Sequence, residues 1–532
     1  MTEVQFFGIS RHLGVLQIGV LGIAALVTWY FVSTFFTWWR LRHIPGPFVA
    51  KFSYLWLGRT THSGKQYYVH RELHKKYGPL VRIGPNYIIT DEPDVIKSIS
   101  SARSAYHRDG WYSTGRFNPY RDNLFTKLEP SVHSKAKLRL SGSYNGRETN
   151  NLEPNVDEQV QNLIRLLHRK YAVSSEDLSR PLLDLGPTSN YFTLDVITKV
   201  AFGQEFGYLR EETDLYHFMQ HVRDLWPRMS TSADVPWIRR ILFSKFFLLL
   251  FGPSTTDKDG FGALMRVAEQ YVSQRFKQGA KELDDSLGSL IKKGLTQEEC
   301  ESEGLFLIVG GTESTASAIR SILIHTMTSP CVYQALKAEI SRAINDGRLT
   351  KTGTGVIRNE DAASLSYLRA VIYEGIRMRP PLLGLFPKVV PAGGAEFCGS
   401  YIPAGTGVCM NSSALLRRQD MFGPHTEVFR PERFLELGDV GSPRRNEMER
   451  NVELAFGYGA NQCVGKPLAL MEIYKVVFEL YRNFDLQLVS PTLSNPKDHF
   501  GYGVFLEWDM LVRVYKSADP SSASKKLIET GL

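Results

Sequence analysis

The sequence predicts a mainly α-helical body with small β-sheets, preceded by one N-terminal transmembrane helix. Three observations carry this. A charge-free apolar run covers Leu13 to Trp39. Long stretches show helical spacing of apolar residues, and one of them opens with a capping box, Thr296 and Glu299. Strand signals are confined to short runs such as Leu80 to Thr90 and Gly399 to Asn411.

The apolar run is about 27 residues long, ~40 Å as a helix, where a bilayer needs roughly 20 residues. It is too long for a signal peptide, and no small-residue cleavage site comes before Arg40 and Arg42. Trp29, Tyr30, Trp38 and Trp39 suit the membrane interfaces. Positive charge gathers after the run (Arg40, Arg42, Lys51), whereas Arg11 before it is set against Glu3. The positive-inside rule then makes residues 1–12 a short lumenal tail and puts the body in the cytosol. Residues 40–48 form a basic, proline-rich hinge, stiffened by Ile44-Pro45-Gly46-Pro47. Residues 49–516 make the body. Residues 517–532 are polar and Ser-rich, which predicts a disordered tail.

With 43% hydrophobic and 12% aromatic residues, the 532-residue chain can bury a large core. Net charge is +8 and the pI about 9.0. Basic runs interleaved with stacking aromatics are missing, so nucleic acid is not the expected partner. The basic surface suits an acidic protein partner or an anionic membrane. Five cysteines without a Cys-x-x-Cys pair argue against a disulfide framework and a zinc site, and for a reducing compartment.

Along the body, Leu80 to Thr90 predicts two strands turned at Gly84-Pro85-Asn86, and Ser104 to Asn123 a loop. Leu124 to Arg139 is helical and puts His133 and Lys137 on one face. Val156 to Glu282 is mainly helical. Within it, Ile241 to Phe251 is too short to span a bilayer. A core helix is the first expectation there, an interfacial segment the second. The helix opened by Thr296 is bounded by Pro330 and could run about 30 residues. Gly310-Gly311-Thr312-Glu313-Ser314-Thr315 interrupts its apolar run. It predicts either a helix-loop-helix break or a deliberate widening beside a reactive centre, with an acid and an alcohol to relay protons. Tyr367 to Met378 is a helix stopped by Pro380-Pro381, with Glu374 and Arg377 on one face. Phe500 to Tyr515 predicts a hairpin.

The chain is organised around Phe456 to Gly465, a loop wrapped around Cys463 and followed at once by a helix from Lys466 to Tyr481. Gly457, Gly459 and Gly465 would let the backbone take positive φ beside something flat and bulky. The helix N-terminus favours a thiolate at Cys463, and a thiolate is a strong axial donor to iron. A lone cysteine would otherwise be read as a small buried hydrophobe.

The spacing Phe-x-x-Gly-x-x-x-Cys-x-Gly, carried by Phe456, Gly459, Cys463 and Gly465, resembles the haem-ligating loop of the cytochrome P-450 family of haem-thiolate monooxygenases. Three further segments are similar to that family in the same order. Gly310 to Thr315 resembles its oxygen-activation motif, with Glu313 as the acid, Ser314 where Thr is usual, and Thr315 next. Glu374 and Arg377, joined by Arg433 in Phe429 to Phe434, resemble its structural ion network. Leu382 to Phe386 resembles the segment lining its substrate pocket.

The resemblance implies the cytochrome P-450 fold over residues 44–516, haem b (iron protoporphyrin IX) and Cys463 as axial ligand of the iron. It makes Phe456, Gly457 and Gly465 the haem-binding loop, and His133, Lys137 and Lys388 propionate partners. Asn461 stands where the family commonly has Arg or His, so a further propionate partner must come from elsewhere. Catalytic roles fall to Glu313, Ser314 and Thr315, and pocket positions to Gly310, Leu382, Leu385 and Phe386. No nucleotide or flavin motif is visible, so electrons from NADPH would arrive through a separate cytochrome P-450 reductase. O2 would supply the oxygen inserted into an apolar small molecule. No obligate oligomer is implied. The loop variant is similar to fungal pisatin demethylase-like members, which implies secondary metabolism and the endoplasmic reticulum membrane. Two rivals stand beside this reading: a haem-thiolate isomerase or dehydratase that does not use O2, and a non-catalytic haem-binding protein.

Overall fold

The structure, a computed structural model, describes residues 3–173, 179–279, 283–489 and 500–517. The expected disordered tail lies outside the described residues, apart from Ser517.

Helices dominate, as the apolar periodicity requires. The N-terminal helix runs Glu3–Arg40, and Val20–Arg40 is long and apolar enough to cross a membrane. Its C-terminal carbonyls are gripped by the buried Arg82, whose guanidinium donates to Thr37 O (3.1 Å) and Trp38 O (3.3 Å). A cation at a helix C-terminus opposes the helix dipole. The same side chain holds Gly84 O and Pro85 O, so the helix end is tied to the first strand turn.

The organising element of the body is one uninterrupted helix, Gln297–Met327, started by the expected capping box of Thr296 and Glu299. The helix-loop-helix alternative fails here. The two glycines have separate reasons. A Cβ on Gly311 would lie 2.8 Å from Ile197 Cγ1, so this glycine lets the helix Leu185–Phe202 cross closely. Gly310 faces the interior cavity.

Five short strands form the main sheet, in the order Leu80–Gly84, Tyr87–Thr90, Gly407–Met410, Lys388–Val389, His107–Arg108. The last two are antiparallel with Arg108 opposite Lys388. The expected loop Ser104 to Asn123 therefore holds a strand, and also a short 3-10 helix, Gly110–Gly115. A second sheet pairs Phe484–Leu488 with Leu511–Lys516, to which Ala172–Val173 and Leu183–Asp184 add. The expected C-terminal hairpin is corrected in part: Gly501 and Phe505 bridge antiparallel around a turn whose Tyr502, Gly503 and Val504 line the interior cavity, while Leu511–Lys516 pairs with Phe484–Leu488 outside Phe500 to Tyr515.

Ile241 to Phe251 is mostly not core, Phe243 excepted. It forms the ends of two short helices, Pro236–Leu242 and Lys245–Phe251, with Phe246 75% and Phe251 73% exposed. Phe243 is buried and lines the interior cavity, but among the described residues nothing covers the outer face made by Phe246, Leu249, Leu250 and Phe251.

Candidate active site

One cavity of about 430 Å³ lies between the long helix, the cysteine loop and the sheet end. Its wall includes Cys463, Phe456, Gly457, Gly465, His133, Lys137, Lys388, Gly310, Glu313, Ser314, Thr315, Leu382 and Phe386. Residues far apart in sequence are thereby brought to one place. Leu385 is the exception. It is buried with Val81, Ile83, Tyr87 and Cys409 behind the cavity wall. Phe386 has φ +45°, so the chain turns there, and Phe386 takes the cavity while Leu385 takes the core.

The cysteine loop is built by short-range backbone bonds. Cys463 N–H donates to Phe456 O at 2.7 Å, closing the loop. Gly457 has φ +79°, and a Cβ there would meet Asn461 O at 2.6 Å, so only glycine fits. Gly465 departs from expectation: its φ is −83°, and it caps the helix Lys466–Asn483. Cys463 is exposed by surface area, and that surface faces the cavity. Burial among protein atoms raises its thiol pKa, against the pull of the Gly465 and Lys466 amides and of Lys137. The amides of the helix start therefore aim at the sulfur, as the sequence predicts, without overcoming desolvation.

Beside the loop sits a knot of cations that the sequence shows only in part. Arg108, absent from the expected residues, donates to Asn461 Oδ1 at 3.0 Å, and Lys388 donates to the same oxygen at 2.7 Å. Lys137 donates to Ala460 O (2.9 Å) and Gln462 O (2.7 Å). Asn461 is thus an acceptor that gathers two cations. Burial first, then mutual repulsion, lowers the pKa of Lys388 far below the usual lysine range and that of Lys137 to about 8. His133 is pushed down to about 3 by burial and then by Arg108, Lys137 and Lys388. Among the described residues no carboxylate forms an ion pair with Arg108, Lys137 or Lys388. Buried cations normally pair with anions, so this knot suits a ligand bringing its own.

His133 has a pH signature. Its depressed pKa favours the neutral ring in the folded state, a contribution present above the ordinary value of 6.5 and lost as pH falls towards 3. The ligand-free wild type should lose stability between pH 6.5 and 4 faster than His133→Gln. Denaturation midpoints across that range check it, and parallel curves would refute it.

Across the cavity, Glu313 is not free. Arg320 donates to it at 2.9 Å and Asn190 at 2.7 Å. Arg320, one of the largest buried side chains, also pairs with Glu507 at 3.0 Å, and Arg379 pairs with Glu507. Ser314 Oγ donates to Gly310 O at 3.0 Å, within its own helix. Thr315 is buried beside them.

Away from the cavity, Glu374 is clamped by Arg377 (2.7 and 2.8 Å) and by Arg433 (3.0 and 3.1 Å), and takes the amide of Arg430 at 2.8 Å. Burial alone would raise its pKa, but the two guanidiniums overcome this and hold it below the usual range. The arginines also hold the carbonyls of Leu416, Phe422, Pro424, His425, Thr426 and Val428. The cysteine loop has separate ties, from Tyr373 and Lys466 to Glu453.

A helical body with a cavity-facing cysteine at a helix start, a positive-φ glycine and an unneutralised cation knot defines a haem-thiolate class of protein. The chain belongs to the cytochrome P450 family, whose model matches residues 43–507. It is similar to "Cytochrome P450 monooxygenase aba1" of Botryotinia fuckeliana, 61% identical over 90% of this chain and 92% of that one. It is also similar to "Cytochrome P450 monooxygenase abl1" of Leptosphaeria maculans, 54% identical over 88% and 82%. "Cytochrome P450 monooxygenase ABA1" of Pyricularia oryzae is 41% identical over 93% and 96%. The protein is an oxidoreductase, a P450 monooxygenase. Membership implies haem iron, O2, reducing equivalents from a redox partner and an apolar substrate. The residues present fit haem: Cys463 offers the sulfur, and the cation knot offers charge for two propionates.

Proposed function

We propose that this chain is a membrane-anchored haem-thiolate monooxygenase. In this reading it binds haem b and hydroxylates an apolar small molecule in fungal secondary metabolism, with electrons from NADPH-cytochrome P-450 reductase. The observation that carries this is the meeting of Cys463, the cation knot and the Glu313-Ser314 pair around one cavity. Bound haem would supply the activation of O2 and the transfer of one oxygen atom to a C–H bond.

The chain's own residues do the rest. Cys463 presents its sulfur to the iron, and Phe456 O fixes the loop. Arg108, Lys137 and Lys388 would hold the propionates, and Asn461 keeps Arg108 and Lys388 in register. Neutral His133 offers a donor without adding charge. Glu313 stands at the cavity wall as the partner of Arg320 and Asn190, and Ser314 Oγ beside it offers a hydroxyl that could hand a proton to the cavity. Arg320 and Asn190 hold that acid in place, so a proton moves only when one of these bonds yields. Phe386, Leu382 and Gly310 shape the apolar wall of the cavity and would exclude water from it. Glu374, Arg377 and Arg433 act structurally.

The test is turnover with 18O2. This reading expects one labelled oxygen per product and no product without reductase and NADPH. Turnover without either would instead mark an isomerase or dehydratase.

The helix Glu3–Arg40 and the exposed segment ending at Phe251 support attachment to the endoplasmic reticulum membrane with the body cytosolic. Each large apolar side chain moved from water is worth about 1.5–3 kcal/mol. Changing Phe246, Leu249 and Leu250 to Ser in a form lacking residues 1–40 should therefore weaken vesicle binding by more than ~100-fold. Unchanged flotation with vesicles would show that the segment stays out of the membrane.

A further inference from the structure

The cavity has a third polar group, distinct from the cation knot and from Glu313. Asp234 ends the helix Phe218–Asp234, is 4% exposed and lines the cavity. Around it stand Thr61, Gln66 and Trp111, which line the same cavity. Trp111 Nε1 donates to Asp234 Oδ1 at 2.8 Å. Gln66 Nε2 donates to Oδ2 at 2.7 Å, and Thr61 Oγ1 to Oδ2 at 2.8 Å. None of the segments carrying these four residues holds Cys463 or Glu313.

A carboxylate buried in an apolar wall is costly unless it is paired or fully hydrogen-bonded. Asp234 has no ion pair among the described residues. The nearby Arg239 is committed to Asp109 at 2.7 Å. A carboxylate offers about four acceptor positions. The three donors fill at most three, and the single proton of Thr61 is shared with Leu57 O at 2.9 Å. Oδ1 accepts only from Trp111 among the described residues, which leaves it a position for a donor on a ligand. Burial raises the pKa of Asp234, with Trp111, Gln66 and Thr61 opposing. Its neutral donors already spread the charge, so the remaining position suits a neutral hydroxyl better than a second ion.

We propose that Asp234 is a specificity-determining residue that binds a hydroxyl on an otherwise apolar substrate. This rests on the monooxygenase reading above and adds a second point of recognition to it. One end of the molecule is anchored at Asp234, while apolar contacts with Phe386, Met229 and Val222 leave the rest to present its C–H bonds. A merely structural latch would hold the helix end to Thr61 and Trp111 but would not discriminate between ligands.

The experiment measures dissociation constants of the holoenzyme for cyclic hydrocarbons paired with their mono-alcohols: decalin with decalinol, adamantane with 1-adamantanol, androstane with androstanol. Calorimetry and the ligand-induced shift of the haem band are read in parallel, for wild type and Asp234→Asn. Wild type should prefer the alcohol by about tenfold or more in at least one pair, as one hydrogen bond to a charged acceptor allows. In Asp234→Asn the ratio should fall below about threefold, with the carbon-monoxide spectrum unchanged. If Asp234→Asn does not fold, Asp234→Ser takes its place under the same criterion. An alcohol preference absent from the wild type, or retained in the folded variant, overturns the proposal. A wild type without haem would overturn the monooxygenase reading alone, because calorimetry still reads the role of Asp234.

Discussion

Cys463→Ala is expected to abolish the strongly red-shifted band of the reduced carbon-monoxide spectrum, together with all O2-dependent turnover, while the fold stays intact. The two halves of that result have separate causes. The side chain of Cys463 faces the cavity, so its loss removes little core packing. The bond that closes the loop is made by the backbone N–H of residue 463 to Phe456 O, and alanine keeps it. The stability change should therefore stay within about 1 kcal/mol. The thiolate, in contrast, has no substitute: Cys300 and Cys409 are buried elsewhere, and Cys331 and Cys398 are not in the cavity wall. A variant that unfolds would show that the thiol is structural. A variant that keeps the red-shifted band would show that the iron takes its sulfur from another residue, or that the band has another origin.

What could be read in the sequence follows from the range of the interactions. The cysteine loop depends on residues within ten positions of one another, so the spacing of Phe456, Gly457 and Cys463 shows it directly. The capping box of the long helix is equally local. Arg108 is different. It reaches the cation knot only because His107–Arg108 pairs with Lys388–Val389, and that pairing leaves no signal in a polar stretch without periodicity. Asn461 looked like a lost propionate partner; in the fold it is the acceptor that gathers Arg108 and Lys388. Hydrophobicity also fails to name what covers a segment, which is why Ile241 to Phe251 reads as core in the sequence yet buries Phe243 and exposes Phe246 and Leu249 to Phe251. Leu385 differs for a related reason: the chain turns at Phe386 (φ +45°), and nothing in the sequence marks which side of that turn is pocket and which is core. The partners of Glu313 were hidden because Arg320 lies two turns along the same helix, where a salt bridge at i, i+7 is not an expected pairing.

The second large effect is on stability. Glu374→Gln should destabilise the folded protein by about 3–5 kcal/mol, a large part of the 5–15 kcal/mol that holds a typical domain together. One carboxylate serves two guanidiniums, and the side chains of Glu374 and Arg377 are wholly buried. Glutamine keeps the shape and one acceptor oxygen but removes the charge, leaving two buried cations to repel each other. The consequence spreads along 416–433, because the same arginines hold six of its carbonyls. Arg377→Lys should fail in a similar way. An ammonium cannot reach both Glu374 oxygens and the carbonyls of Leu416 and Thr426 together, as the planar guanidinium does. Glu453→Gln is the matched comparison. Glu453 and Lys466 keep 22% and 18% of their side-chain surface, so water can replace the lost partner and the cost should be about 1 kcal/mol. Denaturant midpoints of the three variants separate these cases. A Glu374→Gln protein as stable as wild type would mean that the buried charges are compensated by something other than this carboxylate. A Glu453→Gln protein as unstable as Glu374→Gln would move the main brace of the fold from the 416–433 segment to the cysteine loop.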